Sequence, residues 1–229
     1  MHILLIVVLL LVLIIGPQWW AKYTFRRYSG ALPRIPGSGG ELARHLLDQF
    51  GMPDVAVEKT RPGGDHYDPE QHAVRLSPDN YDHNSLTAVA VAAHEVGHAI
   101  QHQRNERKLA LRHRLVKLAQ TTQQVGAGAM LLLPIALLVT RAPSAGLIMG
   151  AIGLGSMAIA TLVHLVTLPV ELDASFGKAL PILNAGRYIQ PADEKAVRRV
   201  LRAAALTYVA SSLASLLNLA RWLAFLRRA

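Results

Sequence analysis

Long apolar runs alternate with polar and basic stretches along this chain. The first run is Ile3–Ile15, continued by Gly16, Pro17, Trp19 and Trp20. The second covers Thr121–Thr140 and the third Leu147–Leu168, with the short turn RAPSAG (141–146) between them. A fourth, roughly Leu206–Phe225, is diluted by Ser211, Ser212, Ser215, Asn218 and Arg221. A helix crossing a bilayer needs ~20 apolar residues. The pattern predicts a transmembrane anchor over 1–20, a helical hairpin through the membrane over 121–168, and a last helix over 206–229 that spans or lies against the others. Gly126, Gly128, Gly146, Gly150, Gly153 and Gly155 suit close helix contact, and Gly146–Gly150 forms a GxxxG pair.

The polar stretches carry other periods. Residues 21–40 read as a linker, rich in Pro and Gly over 29–40 (SGALPRIPGSGG). Glu41–Phe50 fits an amphipathic helix with Leu42, Leu46 and Leu47 on one side, ended by Gly51 and Pro53. Residues 55–57 and 73–76 look like short strands around a polar loop at 60–71. Residues 85–100 (SLTAVAVAAHEVGHAI) hold no Pro and one Gly, which predicts a helix with Ser85 as N-cap. This describes a small α+β unit in which strand 73–76 lies near that helix, with an exposed edge able to pair with an extended peptide. Residues 103–120 read as a basic helix suited to an anionic membrane surface.

Composition sharpens the membrane expectation. The chain has 229 residues, 52% of them hydrophobic, a net charge of +9 and no Cys. Its mean hydropathy is +0.27. Disulfides and Cys-ligated zinc are excluded. Residues 21–120 hold 14 Lys and Arg, the hairpin turn one, residues 169–205 six, and the C-terminal region three. The positive-inside rule then puts 21–120 and 169–205 in the cytoplasm. Charge follows the first apolar run instead of preceding it, and bulky Trp19 and Trp20 sit where a signal peptide would be cut. The run therefore reads as a retained anchor. No nucleic-acid recognition motif accompanies the basic charge.

Residues 94–98 read His-Glu-Val-Gly-His. On a helix, positions i and i+4 share a face, so His94 and His98 can aim two imidazoles at one metal ion. Glu95 adjoins the first of them as a general base. This is the HExxH pattern of zinc hydrolases. A catalytic zinc needs a third protein ligand. His102 continues the series but sits about 12 Å along the axis from His94, too far to share one ion. A distant carboxylate is required, and Glu171 in LPVELDASFGKAL (168–180) is the first candidate. Two spans between His98 and Glu171 would return both to one membrane face. Asp173 is the next candidate, and Glu106, Asp193 and Glu194 rank lower.

The blocks DHYDP (65–69), RLSPDNY (75–81), LTAVAVAAHEVGHAIQH (86–102) and LPVELDAS (168–175) resemble the YugP-like family of membrane zinc metallopeptidases, which is itself similar to HtpX-type membrane proteases. The resemblance covers nearly the whole chain. It implies zinc bound by His94, His98 and Glu171, with Glu95 as base. It also implies a protein or peptide substrate and a bacterial-type plasma membrane location with lipids as partners. HtpX-type enzymes carry an Asp four positions after the ligand Glu; here that position is Ser175, whose hydroxyl can still orient a ligating imidazole.

The fold expected is a mainly α membrane protein. A small α+β zincin-like (gluzincin-type) catalytic unit with an HExxH helix spans 41–120, with about four membrane-embedded helices beside it. Residues 169–205 supply the third ligand. The activity expected is a zinc-dependent metalloendopeptidase: Glu95 takes a proton from a zinc-activated water as it attacks a peptide carbonyl. Tyr67, His66 and Tyr81 are oxyanion-donor candidates by residue type. Two rivals stand beside it: an intramembrane, site-2-like zinc protease, and a non-catalytic scaffold stapled by zinc.

Overall fold

The computed structural model describes residues 16–140 and 143–207. These fall into two compact units. One comprises residues 19–110 and 169–207; the other includes 111–168.

In the first unit, helix α1 is described over 16–27 and turns its Ala21 and Thr24 inward. Helix α2 (Gly39–Gln49) begins at a capping box. Ser38 accepts from the Glu41 amide at 3.2 Å, and the Glu41 carboxylate accepts from the Ser38 amide at 2.8 Å. Its Ala43, Leu46 and Leu47 are fully buried. The end of the expected linker is thus core. Gly39 packs on the Asn80 and Ala88 carbonyls so closely that a Cβ would collide with both. The reason these positions are glycine is close packing, not flexibility.

Three strands follow: β1 (Ala56–Lys59), β2 (His66–Asp68) and β3 (Ala73–Leu76). The order is β1-β3-β2, with β1 parallel and β2 antiparallel to β3. This corrects two expectations. The loop at 60–71 contains a strand, and 73–76 is the central strand, paired on both sides, so it offers no edge to a peptide. Val74 and Leu76 are fully buried, as a central strand requires. Arg75 on its other face bonds Glu58 of β1 at 2.9 Å and Asp68 of β2 at 2.7 Å.

A short helix α3 (Pro78–Asp82) leads into α4 (Leu86–Gln103). Ser85 caps α4 by accepting from the Ala88 amide at 3.1 Å. Residues 86–101 are buried without interruption. A helix buried on every face must lie inside something. Here α2, α3, the sheet and the 173–179 segment surround it. At Arg104–Glu106 the chain turns, with Asn105 in the left-handed region, so the basic stretch 103–120 is not one helix.

Helix α5 (Arg107–Thr140) starts after that turn, and α6 (Pro143–Leu172) runs into a π-helical segment, Asp173–Ala179, and then α7 (Leu180–Ala185). A 3-10 turn (Pro191–Asp193) precedes helix α8, described over 194–207. Val197, Val200 and Leu201 of α8 complete the core around α4.

Within the second unit, Gly126 of α5 lies against Ser156 and Gly153 of α6, while Gly128 and Gly155 have open space where a Cβ would stand. Among the described residues, no helix is long and apolar enough to cross a membrane. The expectation of about four membrane-embedded helices is corrected accordingly. The apolar run of α5 begins only after Thr121-Thr122-Gln123-Gln124, leaving 125–140. That is about 24 Å of helix against the ~30 Å of a bilayer core. Residues 1–15 of the expected anchor over 1–20, and the last helix beyond 207, lie outside the described residues.

Candidate metal centre

Helix α4 fixes two imidazoles. His94 and His98 project from one face with ring centroids 4.8 Å apart, nearly perpendicular to each other. Across from them, Glu171 at the end of α6 is completely buried. Its Oε2 lies 3.2 Å from His98 Nε2 and 3.4 Å from His94 Nε2. All three ligand atoms lie within 4.8 Å of one another. Two donors on one tetrahedral zinc, each ~2.05 Å from it, stand about 3.3 Å apart. The nitrogen–carboxylate distances are of that size.

Hydrogen bonds set which nitrogen of each ring faces Glu171. Ser175 Oγ donates to the Leu201 carbonyl at 3.1 Å, which commits its proton. The oxygen then accepts from His94 Nδ1–H at 2.9 Å. Gln101 Nε2 donates to the Val170 carbonyl at 3.1 Å and to Asp173 Oδ2 at 2.7 Å, so its Oε1 accepts from His98 Nδ1–H at 2.9 Å. Both rings therefore present an Nε2 lone pair to the carboxylate. With both rings neutral, the three atoms are all donors that one cation could share. The donor set, two imidazoles and one carboxylate, suits zinc.

Close backbone packing makes the arrangement. The π-helical segment presses its Ala174 carbonyl onto Gly97, where a Cβ would come within 2.8 Å of the oxygen. A glycine inside the HExxH motif thus lets the segment that follows Glu171 approach. Wide turns of this kind recur at functional sites.

Glu95 is buried beside the first imidazole. Burial pushes its carboxyl above the ordinary range, and the charges of Glu171 and Asp65 add to this, opposed by His94 and His98. Asp65 is held by the Ser77 amide at 2.7 Å, the Ser77 hydroxyl at 2.9 Å and Asn80 Nδ2 at 3.0 Å.

The other sequence candidates go elsewhere. The Asp173 carboxylate faces Gln101 and Lys178 instead of the imidazoles. Burial alone would raise it, but hydrogen bonds from Lys178 and Gln101 and the charges of Lys178 and Lys108 hold it below the usual carboxylate range. Glu106 pairs with Lys178 at 2.9 Å, Asp193 with Arg34 at 2.6 Å and Glu194 with Arg198 at 2.7 Å. His102 and Tyr67 share a hydrogen bond of 2.8 Å. Burial, then the charge of His72, lowers His102, while burial, then Asp68, raises Tyr67 to about 12. Exposed His66 bonds the Gly64 carbonyl, and Tyr81 stacks under Lys59.

Sequence reasoning missed Gln101 and Asp65. Gln101 follows His98 by three positions, on the same helical face, which is the available signal. Asp65 sits in a loop with no periodicity to mark it.

A family model described as "Putative neutral zinc metallopeptidase" matches residues 3–227. The chain is 38% identical over 218 residues to a Bacillus subtilis (strain 168) protein described as "Putative membrane protease YugP", covering 91% of each chain. No solved structure matches it.

Proposed function

The chain belongs to the neutral zinc metallopeptidase family, and from that premise we propose that it cleaves internal peptide bonds, with zinc held by His94, His98 and Glu171 and with Glu95 as general base. The observation that carries this reading is the convergence of two Nε2 lone pairs, each set by a hydrogen bond on the opposite nitrogen, on one buried carboxylate. When bound, zinc supplies Lewis acidity, polarising a peptide carbonyl and lowering the pKa of water at its open position to about 7.

The protein's own contribution is positional and acid–base. Glu95 takes a proton from the attacking water and hands it to the leaving amine nitrogen. Burial raises its pKa, which favours holding the proton between the two transfers. Ser175 and Gln101 hold the imidazole rings in register. The substrate class is protein or peptide. A membrane setting is supported by the description of the Bacillus relative as a membrane protease.

A non-catalytic zinc staple is the weaker reading. Structural zinc sites are closed by four protein ligands. Among the described residues the cluster offers three.

The test is hydrolysis of an unfolded protein such as casein by purified, zinc-loaded chain. Glu95→Gln keeps zinc and loses ~10²-fold or more of the rate. Cleavage by that variant at the wild-type rate removes the base assignment. Cleavage that survives chelation removes the zinc reading.

A further inference from the structure

We propose that Gln101 is the positioning residue of the metal centre: it fixes the His98 tautomer and, through the same amide, holds the chain on both sides of Glu171. The inference rests on the zinc-binding reading above and deepens it.

Gln101 is 1% exposed, and both ends of its amide meet protein partners. Both groups facing Nε2 are acceptors: the Val170 carbonyl and Asp173 Oδ2. Only the NH₂ end fits there. The Oε1 end then faces His98 Nδ1, which must carry the proton. The His98 lone pair is left on Nε2, toward Glu171 and His94.

The same two donated bonds bracket Glu171 in sequence. Val170 precedes it by one residue and Asp173 follows it by two. One side chain of α4 therefore ties a ligand on its own helix to the segment bearing the third ligand. Asp173 is itself fixed by Lys178, which also pairs with Glu106 at 2.9 Å. The chain His98–Gln101–Asp173–Lys178–Glu106 runs from the metal centre to a cavity of about 330 Å³ lined in part by Gln101, Glu106 and Asp173. Its charged outer members set the direction in which the amide points, and the amide sets the imidazole. A second hydrogen-bonding partner of this kind typically changes metal affinity by ~10- to 100-fold.

The experiment combines ¹⁵N NMR of the histidine side chains in metal-free protein with zinc affinity by chelator competition. In wild type, His98 Nδ1 is protonated. In Gln101→Leu, the neutral ring shifts toward the Nε2–H form, which faces Glu171, and zinc affinity falls ~10- to 100-fold. Gln101→Glu restores an acceptor for Nδ1–H but loses both donors, so it keeps the tautomer and recovers only part of the affinity. A wild-type His98 in the neutral Nε2–H form overturns the proposal, and that reading needs neither a variant nor bound zinc. So does a folded Gln101→Leu that binds zinc within about twofold of wild type. Wild type with protonated Nδ1 but no zinc affinity leaves the tautomer argument standing and defeats the proposed function instead.

Discussion

Ser175 accepts a hydrogen bond from His94 Nδ1 at 2.9 Å while giving its own proton to the Leu201 carbonyl at 3.1 Å. The hydroxyl thereby joins helix α8 to the HExxH helix through one atom. Ser175→Ala frees the His94 ring to take either tautomer and removes the acceptor of its buried Nδ1–H. The expected outcome is a loss of ~10-fold or more in zinc affinity and about 1–3 kcal/mol in stability. Chelator competition and chemical denaturation of the metal-free protein measure the two effects separately. Unchanged affinity would show that the His94 ring is held by its other surroundings.

Glu171 and Asp173 differ in what they face, and zinc retention should separate them. Glu171→Gln replaces an anionic donor in the cluster with a neutral amide and should strip the metal on dialysis. Asp173→Asn leaves all three donors in place and acts only through Gln101 and Lys178, so it should lose far less. Metal analysis after dialysis decides. Retention by Glu171→Gln with loss by Asp173→Asn would move the third ligand to Asp173.

Burial raises the Glu95 pKa, and the sign of its effect on stability follows. In metal-free protein the folded state binds the Glu95 proton more tightly than the unfolded state does. Its contribution is fully present below the ordinary Glu pKa of about 4.3 and is lost as pH rises through the raised value. Glu95→Gln removes this dependence. The variant should therefore gain stability over wild type as pH rises above about 4.3, in denaturation curves of metal-free protein. A difference that stays flat or shrinks over that range contradicts the raised pKa.

Gly97 has no space for a side chain, because the Ala174 carbonyl is backbone and has nowhere cheap to go. Gly97→Ala should cost about 1–3 kcal/mol as overpacking. It should also weaken zinc binding, because the segment pushed away carries Glu171. Thermal melts with and without zinc report both. A variant as stable as wild type, with full zinc affinity, would mean that the two segments separate freely.

Much of the site is legible in the sequence because its signals are local. The i, i+4 spacing of His94 and His98 with Glu95 between them is a statement about one helix, and Ser85 and the Ala-rich run supply that helix. The carboxylate is less local. The sequence offers several acids, and only the packing of the 169–179 segment on α4 separates Glu171, which faces the imidazoles, from Asp173, which faces Gln101 and Lys178.

The sheet shows where pattern reading stops. Residues 73–76 read as a strand, but nothing local says that β1 and β2 would take both of its edges. β2 is three residues long and polar, too short for a period of two to stand out. The apolar runs mislead in a different way. Run length ignores the polar and small residues that break the runs, and among the described residues no helix meets the length and apolarity of a span.

By itself the sequence determined the elements whose cause lies within one turn of helix or one short strand: the HExxH helix, its cap, the amphipathic helix before it, and the residue types suited to zinc. Tertiary structure alone decided which acid faces the two imidazoles, which way each imidazole points, and why Gly97 is glycine. Those features depend on contacts between residues some 70 to 80 positions apart, such as His98 with Glu171 and His94 with Ser175. Only the packed core around α4 brings them within hydrogen-bond distance.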